Sequence, residues 1–438
     1  MSILTFRGGI HPYEGKELSK DSPIKEYIPK GEVAISMSQH IGAPAKPVVK
    51  KGDSVLVGQL IGEAAGFISA NVHSSVSGKV KAVEKRFIVN GGKAECVIIE
   101  NDGNFEEVTY EQPTSCENLT REEIIGLVKA AGVVGMGGAG FPTNVKLSPK
   151  NVDDIDYIIV NGSECEPYLT SDYRRMIENP ELLIGGLKIM LRLFDKAKGI
   201  IAVEDNKPDA IARLKECLAG EDNIEVKKLY TKYPQGAERM LIYAVTGRKI
   251  NSSKLPADAG CIVDNVDTVF AIYHAVSYGK PLIKRVITVT GDAVANPQNF
   301  LVPVGTNHSE LIEAAGGFVS EPSKIISGGP MMGMAISSLD VPVTKTSSSL
   351  LCYTRDPLVD ISQTNCINCG RCVKVCPGRV LPSRLAKFSA RGDMESFLKY
   401  DGLECCECGC CSYICPAKIN LTQAIKTMRK KALAARKK

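Results

Sequence analysis

The sequence has no uninterrupted apolar run of the roughly 18 residues that a membrane-spanning helix requires. Its best candidate, Leu182 to Phe194, is broken by Lys188 and Arg192, so a transmembrane helix is excluded on length. The opening stretch, MSILTFRGGIHPYEGK, lacks the apolar segment of a secretory signal. Without such a signal, the 16 cysteines are expected to be thiols or metal ligands rather than disulfides. A broad excess of positive charge is also missing. The total is +5, and the eight Lys/Arg from Lys418 to Lys438, with no acid among them, leave residues 1–417 at −3. A basic surface for nucleic acid is therefore not expected. With 44% hydrophobic and 24% charged residues, disorder, collagen and coiled coil are poor overall descriptions. A chain of 438 residues is long for one core, and two to four domains are expected.

What is present falls into successive patterns. Residues 30–110 read as short strands. Val48 to Ala64 alternates apolar pairs with Gly-Asp and Gly-Gln turns, and Asn71 to Val83 repeats the strand–turn–strand signal. These stretches resemble the barrel-sandwich domain of biotinyl and lipoyl carriers. No lysine lies between Lys51 and Lys79 to serve as a carrier arm, so the domain reads as structural. From Thr120 the pattern changes. Thr120 to Glu123 forms a capping box. The helix behind it, to about Ala131, is followed by strands at Tyr157–Val160, Gly199–Val203 and Ile224–Tyr230. Helices are expected near 174–196, 208–219 and 266–277. Alternating strands and helices predict an α/β domain with a largely parallel sheet. Val286–Thr290, a helix at Ser309–Ala315 and a Gly-Gly turn suggest a β-grasp module. The expected fold class is multidomain α/β, divided as 1–115 (barrel-sandwich), 116–280 (parallel α/β), 281–350 (β-grasp), 351–417 (helical cysteine domain) and 418–438 (basic tail). The tail has apolar spacing compatible with a basic helix, solvated or touching anionic lipid.

Ten cysteines lie between Cys366 and Cys415. The other six (Cys96, Cys116, Cys165, Cys217, Cys261, Cys352) are scattered and read as small buried hydrophobes. Cys366-x2-Cys369-x2-Cys372-x3-Cys376-Pro recurs as Cys405-x2-Cys408-x2-Cys411-x3-Cys415-Pro. Only the frame starting at Cys405 reproduces that spacing, which leaves Cys406 and Cys410 as extra thiols near a cluster. Eight thiolates suit two [4Fe-4S] clusters, and in two-cluster ferredoxins the fourth cysteine of each run ligates the other cluster. The expected ligand sets are Cys366, Cys369, Cys372 with Cys415, and Cys405, Cys408, Cys411 with Cys376. Structural zinc more often takes paired C-x2-C units with longer gaps. Two clusters side by side carry single electrons, so another part of the chain should feed or drain them.

A second signal is Gly135-Met-Gly-Gly-Ala-Gly-Phe-Pro-Thr143, followed by Lys146. Its glycines let backbone approach a phosphate or a flat ring. The plainer reading is a tight connection. It is not the dinucleotide fingerprint, because a helix rather than a strand precedes it.

This loop resembles the FMN and NADH loop of the flavoprotein subunit of respiratory complex I and related diaphorases. VNGSECEP (Val160 to Pro167), YPQGAERMLI (Tyr233 to Ile242) and VDNVDTV (Val263 to Val269) match in the same order. The carrier-like first domain, the two cysteine runs and FRGGIHP (Phe6 to Pro12) resemble more closely the C-subunit family of Rnf complexes, the ion-translocating ferredoxin:NAD+ oxidoreductases. The resemblance implies that Gly135, Gly137, Gly138 and Gly140 shape a flavin and nicotinamide loop, with Phe141 against the NADH rings. Lys146 would pair with a phosphate or the flavin. Asn161, Ser163, Glu164 and Glu166 would line the flavin, Tyr233, Gly236 and Glu238 would wall it, and Asp264 and Asn265 would reach it. The chain departs from the complex I pattern at Met136, at Asn144 to Leu147 and at Ala237. Glu164, Glu166 and Asp172 have a plainer reading as a solvated acidic loop.

The implied activity is hydride exchange between NAD(H) and noncovalent FMN, then single-electron transfer through two [4Fe-4S] clusters. No protein acid or base is required, so no catalytic residue is expected. The implied setting is an NAD-dependent oxidoreductase subunit, peripheral on the cytoplasmic side of the membrane. It would be held there by other subunits of an Rnf complex, with electrons coming ultimately from ferredoxin. The alternatives are a diaphorase subunit of a bifurcating hydrogenase or formate dehydrogenase, and an iron–sulfur relay without NADH turnover.

Overall fold

The computed structural model describes residues 4–112, 116–356 and 361–435. The end of the basic tail (Arg436, Lys437, Lys438) and the expected division at 115 lie outside them. Four sheets are present among the described residues, and no helix among them is long and apolar enough to cross a membrane.

The first unit is the expected barrel-sandwich. An antiparallel sheet of Glu32–Ser36, Lys93–Asn101, Gly78–Phe87 and Ser54–Val55 faces a smaller one of Lys46–Pro47, Leu60–Glu63 and Val72–His73. Val33, Ile35, Ile61, Val72, Val97 and Ile99 close the space between them. Side chains alternate across a strand, so one face of each sheet can be apolar.

The second unit holds a fully parallel sheet in the order Ile224–Leu229, Lys198–Glu204, Tyr157–Gly162, Cys261–Asn265. Helix Arg121–Ala130 starts at the capping box, with the Thr120 hydroxyl accepting from Glu123 N and the Glu123 carboxylate from Thr120 N. The single helix expected near 174–196 is two, Ser171–Glu178 and Pro180–Leu191. Pro180 disfavours helical backbone at Asn179, which breaks the run. One core, with Val160, Leu187, Ile201, Phe270 and Val276 in it, fixes the helices to the sheet.

The third unit is a six-stranded mixed sheet. Ile24–Glu26 joins it from the N-terminal segment, and Ser349–Tyr353 runs through its middle, across the division expected at 350. The fourth unit is helical. The helix-like stretch between the two cysteine runs, Ser383 to Tyr400, holds two helices, Pro382–Arg391 and Met394–Lys399, parted at Gly392. The basic tail is not a separate element. Helix Leu421–Ala435 buries Leu421, Ile425 and Met428 against Leu385 and Phe397 of this same unit, so its apolar face is occupied from within.

Candidate functional site at the switch point and the cysteine runs

In the parallel sheet the chain lays Lys198–Glu204 and Ile224–Leu229 on one side of Tyr157–Gly162, then returns to place Cys261–Asn265 on the other. The crevice at the carboxyl ends of two strands that diverge in this way is where open α/β sheets bind ligands. Asn161 and Asn265 are register partners at that end. Five of the expected residues, Asn161, Ser163, Glu164, Asp264 and Asn265, therefore share one rim.

The glycine loop closes over this rim. Gly135 N donates to Phe141 O at 2.8 Å and Met136 N donates to Thr268 Oγ1 at 2.9 Å. A Cβ on Gly137 would stand 2.9 Å from the Asn265 Cβ, whereas one on Gly138 would meet nothing within 4 Å. Gly140 has a different role. At φ +71 it presses on the barrel-sandwich unit, where a Cβ would lie 3.0 Å from the His40 Cα. Asn161 Nδ2 donates to Gly236 O at 2.8 Å, which ties the loop after Tyr233 to the rim.

Charge at the rim is compensated within the chain. Lys146 Nζ donates to Val263 O at 2.7 Å and to Asp264 Oδ1 at 3.1 Å. Burial pulls the Lys146 pKa down, but Asp264 and Glu238 outweigh it and the net shift is upward. Burial raises both carboxyls, partly offset by Lys146. Two buried polar atoms on the same rim have no partner, Ser163 Oγ and Asp264 Oδ2, while Glu164 Oε2 has no hydrogen bond but faces Lys16 Nζ at 3.7 Å. Buried polar atoms are almost always paired. Ser163 Oγ and Asp264 Oδ2, beside an open glycine face, fit a polar aromatic ligand that supplies the missing partners.

The acidic loop is not solvated. Glu164 Oε1 accepts from Asp172 N at 2.7 Å. Glu166 points elsewhere and accepts from Met331 N (2.6 Å) and Met332 N (3.0 Å) of the mixed-sheet unit. Asp172 keeps a small exposed face, yet burial and then the neighbouring Glu164 and Asp267 push its pKa up to about 7. Asp172 Oδ2 accepts from Asn265 Nδ2 at 2.6 Å.

Several supporting residues give no local sequence signal. Lys16, from the N-terminal segment, donates to Glu164 O (2.8 Å) and Leu169 O (2.6 Å). Lys207 Nζ donates to Ser163 O at 2.7 Å. Asp267, buried, accepts from Arg175 Nε at 2.9 Å and Arg285 Nη1 at 2.7 Å. Lone basic residues dozens of positions apart acquire these partners only through the tertiary fold.

The cysteine runs repeat in conformation as well as spacing. Asn368 and Glu407 (φ 55 and 57), Gly370 and Gly409 (φ 72 and 82), and Arg379 and Lys418 (φ 55 and 53) are left-handed at matching positions of the two runs. Each Gly caps a short helix, Arg371–Val375 or Cys410–Tyr413. Non-glycine residues seldom adopt this backbone, so the match supports the frame starting at Cys405.

A cavity of about 110 Å³ is lined by Cys366, Cys369, Cys372 and Cys415, the first expected set with its crossed fourth ligand. Burial pushes the Cys405 thiol up to about 12, with Cys406, Cys411 and Cys376 as its close thiol neighbours. Cys408 instead packs with Cys406 and Cys410, and Cys410 Sγ donates to Tyr233 O at 3.8 Å. Among the described residues, no three Cys, His, Asp or Glu side chains converge on a single-ion site. Four cysteines around one cavity suit a four-iron cluster, in which each binds a separate iron. Tyr233 packs with Cys408, Cys410, Cys165 and Ile10, joining the rim to the cysteine unit. Of the six scattered cysteines, Cys96, Cys261 and Cys352 are buried, while Cys116, Cys165 and Cys217 are only partly so. Cys165 Sγ accepts from Gly236 N at 3.3 Å.

Four family descriptions match along the chain: the RnfC barrel sandwich hybrid domain (4–104), the Nuo51 FMN-binding domain (128–274), the SLBB domain (286–335) and the 4Fe-4S dicluster domain (365–419). The C subunit of the proton-translocating ferredoxin:NAD(+) oxidoreductase complex of Clostridium ljungdahlii is 46% identical over 88% of this chain and 84% of its own. The C subunit of the Na(+)-translocating complex of Acetobacterium woodii is 45% identical over 99% of this chain and 98% of its own. The chain belongs to the C-subunit family of ion-translocating ferredoxin:NAD+ oxidoreductases. The rim lies within the match to the family's FMN-binding domain, and all eight repeat cysteines lie within the dicluster domain. Among solved structures, an NAD+-reducing [NiFe]-hydrogenase chain shares the fold at a TM-score of 0.52 and 20% identity. That likeness covers 74% of this chain and 62%, under two thirds, of the hydrogenase chain.

Proposed function

We propose that this chain is the NAD(H)-reactive arm of an ion-translocating ferredoxin:NAD+ oxidoreductase complex, with flavin chemistry in 116–280 and single-electron transfer in 351–417. FMN, when bound, exchanges a hydride with NAD(H) and exchanges electrons singly with iron–sulfur centres. The residues to hold it are Asn161, Ser163, Glu164, Asp264 and Asn265, under Gly137 and Gly138. Lys146 keeps a cation beside Asp264, while Gly138 and Phe141 leave room for the nicotinamide. Glu166, Gly236, Tyr233 and Glu238 hold the walls in place. Two [4Fe-4S] clusters would be held by Cys366, Cys369, Cys372 and Cys415, and by Cys405, Cys408, Cys411 and Cys376. The observation that carries the reading is the pair of unpartnered polar atoms at the switch point, Ser163 Oγ and Asp264 Oδ2, next to an apolar contact that runs through Tyr233 to the second cysteine run.

Attachment to the cytoplasmic side of the membrane would come from partner subunits, because among the described residues no helix spans it. A soluble diaphorase is the second reading. The barrel-sandwich match at 4–104, typical of the membrane family, favours the first.

The test is anaerobic purification with iron and flavin analysis, then NADH-dependent reduction of ferricyanide. About eight irons and one FMN per chain, with turnover, are expected. Iron without flavin or NADH oxidation overturns the diaphorase step, and zinc in place of iron overturns the electron path.

A further inference from the structure

The barrel-sandwich unit has no carrier lysine, and none of the residues assigned to the flavin or the clusters comes from it. It nevertheless meets the glycine loop at both ends. The loop is a narrow hairpin, closed at its base by the chain itself: Thr143 N donates to Val133 O at 3.0 Å and Gly135 N to Phe141 O. Just ahead of that base, helix Arg121–Ala130 runs out at Gly132, which is left-handed (φ +62). Carbonyls at a helix end need partners from elsewhere. Two of them find partners outside the parallel-sheet unit. Asn71 Nδ2 donates to Ala130 O at 3.3 Å, and Lys345 Nζ donates to Gly132 O at 2.7 Å.

Lys345 is the centre of this junction. It belongs to the mixed-sheet unit, is 1% exposed, and its Nζ also donates to Asn71 O at 2.6 Å. One ammonium thereby joins three units. Burial pulls its pKa down to about 7, and the titratable groups that face it, His40 and His73, are held low by burial first and then by Lys345. A cation buried against carbonyls alone costs free energy that apolar adhesion between units would not. Its place at a helix C-terminus recovers part of that cost through the helix dipole. The Lys345 backbone N donates to Gln39 Oε1 at 2.8 Å. The next residues along, His40 and Thr346, then meet the far end of the loop. A Cβ on Gly140 would lie 2.8 Å from Thr346 Cγ2, 3.0 Å from His40 Cα and 3.1 Å from Gln39 O. His40 is itself fixed, its Nε2 accepting from Ala70 N at 2.9 Å. Two dipeptides, Gln39-His40 and Lys345-Thr346, therefore bracket the loop at Gly132 and at Gly140.

We propose that Lys345 is a positioning residue, which with Gln39, His40 and Thr346 clamps the glycine loop in the shape that receives NAD(H), and that this clamp is the task of the barrel-sandwich unit. The proposal rests on the NAD(H) reading above and adds the residues that set the loop's shape from outside the parallel-sheet unit. Lys345 acts through Gly132 and touches no reacting atom. A loop freed from the clamp spends part of its time in shapes that do not accept the dinucleotide, and apparent affinity falls by the competent fraction. Turnover at saturation is unaffected, because the loop has its competent shape in every bound complex.

The test is Lys345→Met, which keeps the length of the side chain and removes its donors, in the iron- and flavin-loaded full chain. Amides of residues 133–143 are expected to exchange hydrogen about tenfold faster, with Tyr157–Gly162 unchanged. In NADH–ferricyanide kinetics the KM for NADH is expected to rise about tenfold, with kcat within about twofold of the parent. Iron content should stay as in the parent. If Lys345→Met does not fold, Gln39→Leu, which breaks only the hydrogen bond from the barrel-sandwich side, takes its place with the same direction and a smaller size. Unchanged loop exchange and unchanged KM in a folded variant overturn the proposal. Equal acceleration in Tyr157–Gly162 also overturns it, since Lys345 would then be general adhesion between units. So does faster loop exchange with an unchanged KM, which would part the loop's shape from dinucleotide binding. Absence of NADH oxidation in the parent chain sinks the proposed function, whereas oxidation by the parent with unaltered variants sinks only the clamp.

Discussion

The switch-point rim and the cysteine unit solve the same problem, holding a redox group, by opposite physical means. At the rim nearly every charge has a partner from the polypeptide: Lys146 has Asp264, Asp267 has two arginines, and Lys16 has three carbonyls and the Glu164 carboxylate. A parallel sheet and a large core stand behind them. The cysteine unit has no strand among its described residues, and its core centres on Leu385, Phe397, Leu421, Ile425 and Met428. Its thiols have only scattered polar partners, such as Asn368 for Cys366, Tyr233 O for Cys410 and Thr422 for Cys411. The rim is a site the chain builds before its ligand arrives, whereas the cysteine unit is completed by its metal, as ligand-linked folding requires.

The sharpest way to break this contrast is to remove the iron. Chelation under reducing conditions is expected to collapse the helices of 361–435 and leave the parallel sheet folded. Hydrogen exchange resolves the two, because amides open with the stability of their own cooperative unit. Cys372→Ala should produce a milder form, with iron falling from about eight to about four per chain. Loss of protection in Tyr157–Gly162 along with the cysteine helices would show that the two regions fold as one.

Next in size is the charge network behind the rim. Asp267→Ala leaves Arg175 and Arg285 without the carboxylate that both contact at 2.9 Å or less. Breaking a buried ion pair on one side costs about 3–5 kcal/mol. Denaturant unfolding of the flavin-free chain, followed by a probe in the parallel sheet, should show that loss. The cysteine unit should keep its iron. A loss below about 1 kcal/mol would mean that water already screens the network.

The two regions were also unequally legible in the sequence. The cysteine ligands could be read because metal chemistry acts through fixed short spacings, and even the frame at Cys405 followed from them. The parallel sheet followed from alternation, and Asn161, Asp264 and Asn265 from a family likeness in strand-end motifs. Lys16, Lys207, Arg285 and Asp172 could not be read, because each acquires its meaning from residues tens to hundreds of positions away. Glu166 was placed by resemblance among the flavin residues, but its carboxylate is occupied by Met331 N and Met332 N. The helix expected near 174–196 is two because apolar periodicity runs on through Pro180, where the helical backbone cannot. The tail looked like a free basic helix because sequence shows an apolar face and not what covers it.

A smaller effect tests the rim's own electrostatics. Asp172 has its pKa raised to about 7, so the fold favours its protonated form. Its stabilising share is full below the unfolded value near 4 and is lost as pH rises through about 7. Asn is neutral throughout and its carbonyl can still accept from Asn265 Nδ2. Asp172→Asn is therefore expected to lose less stability than the parent between about pH 4 and pH 8, by about 1–3 kcal/mol. Parallel unfolding curves across that range would show that water reaches the carboxyl and that the rim is less enclosed than its contacts suggest. Glu204, also raised to about 7 by burial, titrates in both chains and cancels in the comparison.

The smallest expected change in stability is the most informative about what the rim is for. A methyl on Gly137 would collide with Asn265, while one on Gly138 would enter open space. Gly137→Ala should cost about 1–3 kcal/mol through overpacking. Gly138→Ala should leave the thermal midpoint of the flavin-free chain almost unchanged, within about 0.5 kcal/mol. If the space beside Gly138 exists to let backbone meet a ring or phosphate, the same methyl must weaken ligand binding. Titration of FMN by fluorescence quenching, and of NADH onto the flavin-loaded chain, separates the two ligands. A loss for NADH alone would place the nicotinamide at Gly138, and a loss for FMN would place the flavin there. Unchanged affinity for both would mean that the open face of the loop is ordinary surface, and the rim would then have to hold its ligand without the loop.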